Sequence, residues 1–404
     1  MTGINIYPLN IRSPQDLNAA MERIGADPRS GAYFQPKRVT RHIFVERVDF
    51  RAAAFMKQEL LARGGDVVVS RHVIDATADT SDVLLIGTDG ELNALLKKME
   101  AMDCWGLKAL REELRSAFYN TAVSAWILPL PGGRKLRLNS STKVMGILNL
   151  TKDSFHASSR VANLDDLLER VDNMLADGAD ILDVGAESTR PGSTPVPEED
   201  ELKRLIPAIK AIRNSFPDAV ISADTYKGKT ALAAAEAGAD IINDVGGFTL
   251  SPDMLECAAR SGLPYVLSHV KGMPLDMQNS PIYENLLNEM NSYFQMKIEE
   301  AERAGLQKER IIIDPGIGFG KREKDNLLIL KEIENLSVFG RPILLGYSRK
   351  KFIGTATNAP HDDRLAGTVA ISALAEGRAQ VVRVHDVKEN KNALLTARAV
   401  KEAF

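Results

Sequence analysis

The sequence predicts an α/β protein: a (β/α)8 TIM barrel preceded by a smaller α/β domain. Three observations carry that expectation. From Lys143 onward, short apolar runs alternate with amphipathic stretches, and they do so eight times. Nearly every position of the runs is apolar, as parallel strands covered on both faces require. The 404 residues, 44% hydrophobic and 26% charged, supply a large core and leave enough chain for a second unit.

The runs are "VMGILNL", "ADILDVGA", "AVISADT", "DIINDVGG", "PYVLSHV", "RIIIDPGIGFG", "RPILLGYS" and "AQVVRVHD". Stretches such as "EEDELKRLIPAIKAIRNS" and "RLAGTVAISALAEG" lie between them and carry helical periodicity, and "VKENKNALLTARAVKEAF" ends the chain. Residues 1–120 form the smaller domain, with strand-like "HIFVERV", "DVVVSRHVI" and "DVLLIGT" separated by helical segments. Ser13 and Pro14 read as an N-cap and first helical position, since proline lacks only an N–H that would be unpaired there. His42, His72 and the acids of this domain are scattered, so it is expected to serve as scaffold, docking or oligomerisation unit. Residues 121–142 contain two alternating segments around Pro131-Gly132-Gly133, a hairpin expected to join this domain to a catalytic barrel over residues 143–404.

Charge and cysteine usage narrow the function. With 51 basic against 54 acidic residues, no global positive field exists for nucleic acid or an anionic membrane, so any bound anion needs a local cluster of donors. No stretch approaches the ~18 apolar residues of a membrane span, and the start lacks a basic segment followed by an apolar one. Cys104 and Cys257 fit neither a disulfide framework nor a zinc site, and a reducing cytoplasm is the expected home.

In such barrels the chemistry sits where the strands' C-terminal ends meet. These ends are Asn149, Asp183, Asp224, Asn243 with Asp244, and Asp314, then Ser348 to Lys351, and finally Arg383, His385 and Asp386. Any one of them could be a capped loop. As a set they divide into an acceptor-rich subsite at strands two, three, four and six and a cationic one at strands seven and eight. The first suits a heterocycle edge bearing N–H and NH2 donors; the second suits phosphate. "GAESTRPGS" places Thr189 and Arg190 in a Gly/Pro-rich loop over the mouth, and "DPGIGFGK" sets three glycines around Phe319 so that backbone can approach a flat ligand. His269 is open to either a core or a functional role, and His361 reads as structural.

Five ordered motifs, "GILNLTKDSF", "DVGAESTRPGS", "DPGIGFGK", "YSRKKFIG" and "RVHDV", resemble dihydropteroate synthase over the whole barrel. The resemblance implies transfer of a pterin from 6-hydroxymethyl-7,8-dihydropterin diphosphate to 4-aminobenzoate, with Mg2+ present. It implies that Asn149 meets the metal or diphosphate and that Asp224, Asn243, Asp314 and Lys350 bind the pterin. Thr189, Arg190, Arg383 and His385 would attend the diphosphate and the mobile loops, and a homodimer is common in the family; from their places at the strand ends and in the loops, Asp183, Phe319 and Ser348 are expected to line the substrates. The chain departs from the family's first loop, T-P-D-S-F-x-D-G-G, at Lys152, Ala157, Ser158 and Ser159, with His156 at the variable position, which bears on the amine. A pterin-binding protein without synthase activity and a pterin-dependent methyltransferase are the competing readings; the cations at strands seven and eight argue against the methyltransferase, which has no anionic leaving group.

Overall fold

In the computed structural model, which describes residues 6–11, 13–150, 160–187, 195–272, 281–360 and 363–403, helix α1 (Pro14–Ile24) opens as its sequence predicts. Ser13 Oγ accepts the Asp16 N–H at 3.1 Å, and the Asp16 carboxylate accepts the Ser13 N–H at 2.7 Å. The chain divides into two compact units, one up to Phe118 and one from Tyr119 to Ala403.

In the first unit, after the short helix α2 (Gly31–Phe34), strand β1 (Thr40–Asp49) leads through α3 (Phe50–Leu61) to β2 (Asp66–Val69) and β3 (Thr80–Thr88). The three strands form an antiparallel sheet in the order β1-β3-β2. Val67, Val83 and Leu85 pack on Met56 and Leu60 of α3 and on Leu92, Leu95 and Met99 of α4 (Asp89–Met99). Where the sequence reads as one long strand, "DVVVSRHVI", the strand stops at Val69. Ser70 Oγ accepts the His72 N–H at 3.3 Å and turns residues 71–73 into a single 3-10 turn. Helix α5 (Leu107–Ala122) follows.

The second unit begins with the hairpin β4 (Trp126–Pro129) and β5 (Lys135–Leu138), turning at Pro131-Gly132-Gly133. Eight parallel strands come next: β6 (Lys143–Asn149), β7 (Ile181–Gly185), β8 (Ile221–Asp224), β9 (Ile241–Asp244), β10 (Tyr265–Ser268), β11 (Ile311–Asp314), β12 (Leu344–Leu345) and β13 (Val381–Val384). Each pairs with its sequence neighbour, β13 pairs with β6, and a parallel bridge between Ile313 and Ile343 closes the ring. The outer layer is α6 (Arg160–Ala176), α7 (Glu198–Ser215), α8 (Gly228–Ala237), α9 (Met254–Ser261), α10 (Leu286–Arg303), α11 (Glu323–Lys331), α12 (Lys351–Thr357), α13 (Leu365–Ala375) and α14 (Val387–Glu402). The barrel foreseen from the alternating runs is therefore present. No helix among the described residues is long and apolar enough to cross a membrane.

Strand periodicity decides what the barrel encloses. Met145, Ile181, Ile241, Val266, Ile312, Leu344 and Val381 point inward and share one buried cluster with Leu128, Leu130, Leu136 and Leu138 of the hairpin. The hairpin is thus the floor of the barrel, more than the joint the sequence implies. It is pinned there by Trp126 Nε1, which donates to Gly340 O at 2.9 Å, and by Arg134, which pairs with the buried Asp240. Two residues further along each strand, the inward parity returns at Ile147 and then Asn149 on β6, and at Asp183, Asn243, Asp314 and Arg383 elsewhere. The apolar floor and the polar mouth are consecutive layers of one interior.

Leu138 is fully buried in that floor. Leu138→Ala is expected to lower stability by about 2–4 kcal/mol, the range for a large-to-small core change, read from urea unfolding followed by circular dichroism.

Candidate active site

The mouth of the barrel is organised around Arg383. From β13 its Nε donates to Asp183 Oδ2 of β7 at 2.5 Å, and its Nη2 donates to Asp224 Oδ2 of β8 at 2.5 Å. Asn243 of β9 completes the group by donating from Nδ2 to the Asp183 oxygens at 3.1 and 3.3 Å. Asp183, Asp224 and Asn243 are all buried. Gly185 makes room beside them, since a Cβ there would stand 3.3 Å from Asp224 Oδ2. The acceptor-rich and cationic subsites expected from the sequence are therefore interlocked: the strand-eight cation sits on the strand-two and strand-three carboxylates.

Burial raises the Asp224 carboxyl to about 7; Arg383 opposes the shift and the neighbouring charge of Asp183 adds to it. Burial works against charge on Arg383 as well, but Asp183 and Asp224 outweigh it and hold the guanidinium protonated. Asp314, at the end of β11, accepts the Gly316 N–H at 2.7 Å and is also raised by burial, with Lys350 and Lys321 opposing. Lys350 donates to Ile317 O and lies 4.3 Å from the centre of the Phe319 ring. Burial pulls Lys350 down to about 7, and Asp314 opposes the fall. His385 meets Ser348, Nδ1 to Oγ, at 2.9 Å, which ties the end of β13 to the loop after β12.

Other residues at the strand ends face away from this group. Asp244, next to Asn243, has the outward parity and accepts hydrogen bonds from Gly246 N, Phe248 N and the Tyr265 hydroxyl. Arg349 forms two hydrogen bonds with Asp386, at 2.8 and 2.7 Å, and so serves the loop. His269 is buried and lies 4.7 Å, ring to ring, from Tyr293, a packed side chain rather than one offered to the mouth. Thr189, Arg190, His361 and the first-loop residues Lys152, His156, Ala157, Ser158 and Ser159 lie outside the described residues.

Two features went unnoticed in the sequence. Lys227, three residues beyond Asp224, pairs with Glu187 and Glu201, and the Tyr226 hydroxyl donates to Glu187 at 2.9 Å. A Tyr-Lys pair two residues after a strand-end Asp, with a Glu in the facing loop, was the available signal. The second is Lys321, the last residue of "DPGIGFGK", which is buried.

Among the described residues no three His, Cys, Asp or Glu are grouped to hold a metal ion. Asn149 offers an exposed amide oxygen at the end of β6. Mg2+ commonly takes one or two protein oxygens and completes its shell with substrate phosphates and water. The residues present therefore fit a magnesium ion delivered with a diphosphate, and do not form a self-sufficient metal cage.

Comparison with known proteins gives the family. Residues 145–385 match the pterin binding enzyme family. A crystal structure of Yersinia pestis dihydropteroate synthase with a sulfonamide drug is 41% identical, with a TM-score of 0.63 over 69% of this chain and 100% of that one. The chain belongs to the dihydropteroate synthase family. Dihydropteroate synthase from Xanthomonas albilineans, solved with 4-aminobenzoic acid, is 38% identical at a TM-score of 0.63, covering 70% of this chain and all of the other. A probable bifunctional folylpolyglutamate synthase/dihydropteroate synthase of Haloferax volcanii is 34% identical across 98% of this chain, so its similarity extends through the N-terminal extension. This chain spans 48% of that bifunctional protein. Dihydropteroate synthases are transferases of folate biosynthesis, and the family fits a site built to hold a heterocycle rather than to present a nucleophile.

Replacing Arg383 with Met leaves Asp183 and Asp224 facing each other without a cation. The loss is expected to be on the order of 3 kcal/mol in mildly alkaline buffer. It should shrink as pH falls through the raised Asp224 pKa, because the folded variant then gains the proton that removes the repulsion. Melting temperatures of both proteins across pH measure it.

Proposed function

We propose that this chain condenses 6-hydroxymethyl-7,8-dihydropterin diphosphate with 4-aminobenzoate to give 7,8-dihydropteroate and diphosphate. The observation that carries the reading is the network at the inner mouth of the buried Asp183, Asp224 and Asn243 with the half-buried Arg383, flanked by Asp314 and Lys350. An aminopyrimidine edge presents N–H and NH2 donors, and Asp224, Asn243 and Asp314 are the acceptors that match it. As those donors take over the carboxylates, Arg383 is released toward the diphosphate. In this reading Arg383, His385, Lys350 and, from the loops, Thr189 and Arg190 hold the leaving group, while Phe319 and Ser348 line the space for the rings.

The chemistry needs no covalent intermediate with the protein. The bond from the pterin methylene to oxygen breaks, and its electron pair leaves with the diphosphate. The amine nitrogen lone pair forms the new C–N bond, and an amine proton passes to solvent. Cations placed at the departing oxygens lower the barrier by stabilising charge as it develops. Mg2+ near Asn149 would supply further neutralisation of the diphosphate when bound. The positive charge spreading over the pterin is balanced by Asp183, Asp224 and Asp314. The aromatic amine is mostly neutral at physiological pH, so positioning matters more than a strong base.

Residues 1–120 play a supporting part in this reading and the barrel carries the chemistry. A homodimer belongs to this reading; the groove between α13 and α14, where Leu365, Ala366, Val369, Ala373, Ala393 and Ala397 lie beside Asp363, Glu389, Asn392 and Thr396, is a candidate surface for it. Two free cysteines accord with a cytoplasmic protein.

Diphosphate release that requires both the pterin diphosphate and 4-aminobenzoate is the expected result with purified protein and Mg2+. Pterin binding without amine-dependent release would instead favour a binding protein. The pH profile of kcat/KM for the pterin should form a bell centred near neutrality. Asp224, raised to about 7, must lose its proton to accept the pterin's donors, so the acid limb rises with pH. Lys350, lowered to about 7, loses its charge over the same range, so the alkaline limb falls. Asp224→Asn is expected to weaken pterin binding and flatten the acid limb, which stopped-flow or steady-state assays across pH would measure.

A further inference from the structure

Lys321 follows the third glycine of the loop after β11, and only 2% of it is exposed. Its ammonium has three N–H donors and three acceptors in reach: Nδ1 of His269 at 2.8 Å, the His269 carbonyl at 3.1 Å and the Phe319 carbonyl at 3.1 Å. Burial pulls its pKa down to about 7, and Asp314 opposes the fall. Burial, and next the charge of Lys321, hold His269 neutral, its pKa well below the ordinary value. An acceptor at Nδ1 requires that the single ring proton sit on Nε2.

Backbone contact at both ends of the loop makes the same junction. Gly316 and Gly320 have φ of +64° and +62°; a Cβ on Gly316 would meet His269 O at 2.0 Å, and one on Gly320 would meet Lys271 O at 2.2 Å. The Tyr283 hydroxyl also donates to Gly320 O at 2.7 Å. The loop after β11 therefore lies backbone to backbone against the segment after β10, with the Lys321 ammonium bonded to both. Between the two contacts stands Phe319, the ring that Lys350 covers. A methylene chain and one ammonium thus link the core residue His269 to the wall of the site.

We propose that Lys321 is a positioning residue for pterin recognition: its ammonium clamps the Gly316–Gly320 loop to His269 and so fixes Phe319 and Asp314 against the pterin ring. The proposal rests on the synthase reading given above. It assigns Lys321 no contact with either substrate. The loop shapes the pterin side of the site, so loss of the clamp should be felt in pterin binding and not in amine binding.

Steady-state kinetics on the full chain tests this. Lys321→Met keeps the length of the side chain and removes its donors; it is expected to raise KM for the pterin diphosphate about tenfold while KM for 4-aminobenzoate stays within about twofold. Lys321→Gln, which keeps two donors, should recover part of the loss. A folded Lys321→Met enzyme with an unchanged pterin KM overturns the proposal, as does an equal rise in both KM values. Wild-type enzyme without amine-dependent diphosphate release would instead sink the synthase reading itself. Should Lys321→Met fail to fold, nitrogen-15 NMR of histidine-labelled wild type decides, with the His269 signal assigned by comparison with His269→Gln. A proton on Nε2 and an accepting Nδ1 are expected, and a protonated Nδ1 overturns the clamp.

Discussion

Two carboxylates buried side by side repel strongly unless a cation lies between them or one of them takes a proton. Arg383 supplies that cation for Asp183 and Asp224, and much of the barrel mouth is arranged to allow it. The guanidinium must cross from β13 to β7 and β8, which requires a closed ring of strands. It also needs a neighbour without a side chain, which Gly185 provides, and an amide at Asn243 to satisfy the remaining oxygen of Asp183. The planar fork of arginine reaches the two carboxylates from two separate nitrogens, Nε and Nη2, at fixed spacing, where a lysine would have to serve both from one nitrogen.

Much of this was legible in the sequence because strand periodicity is strict. Once Ile181, Ile241, Ile312 and Val381 are read as inward, Asp183, Asn243, Asp314 and Arg383 must be inward too. The same rule turns Asp244 outward and sets it apart from Asn243. Which strand ends meet across the mouth was not legible, since partners such as Arg383 and Asp224 are separated by 159 positions and no local pattern links them. For that reason the division into acidic and basic subsites gave no sign that Arg383 bonds both Asp183 and Asp224. The floor was missed for a related one: alternating leucines in a hairpin look the same whether they cover a linker or plug a barrel.

The two lysines of the mouth show how similar side chains acquire different tasks. Lys350 reaches a carbonyl and an aromatic face beside Asp314, while Lys321 spends all three donors on His269 and the Phe319 carbonyl. Both are drawn toward neutrality by burial, yet they differ in the number of acceptors around the nitrogen. Hydrogen-bond count, more than proximity to the site, separates a group available to a ligand from one committed to the scaffold.

The hairpin floor carries a topological consequence. A barrel stoppered by Leu128, Leu130, Leu136 and Leu138 is a cup, with no passage along its axis. Traffic in such a vessel is last in, first out. A molecule seated at the level of Asp183 has to enter before anything that rests above it, and it departs only after the upper place is vacated. Four leucines at the end farthest from the chemistry thereby leave the mouth as the way in.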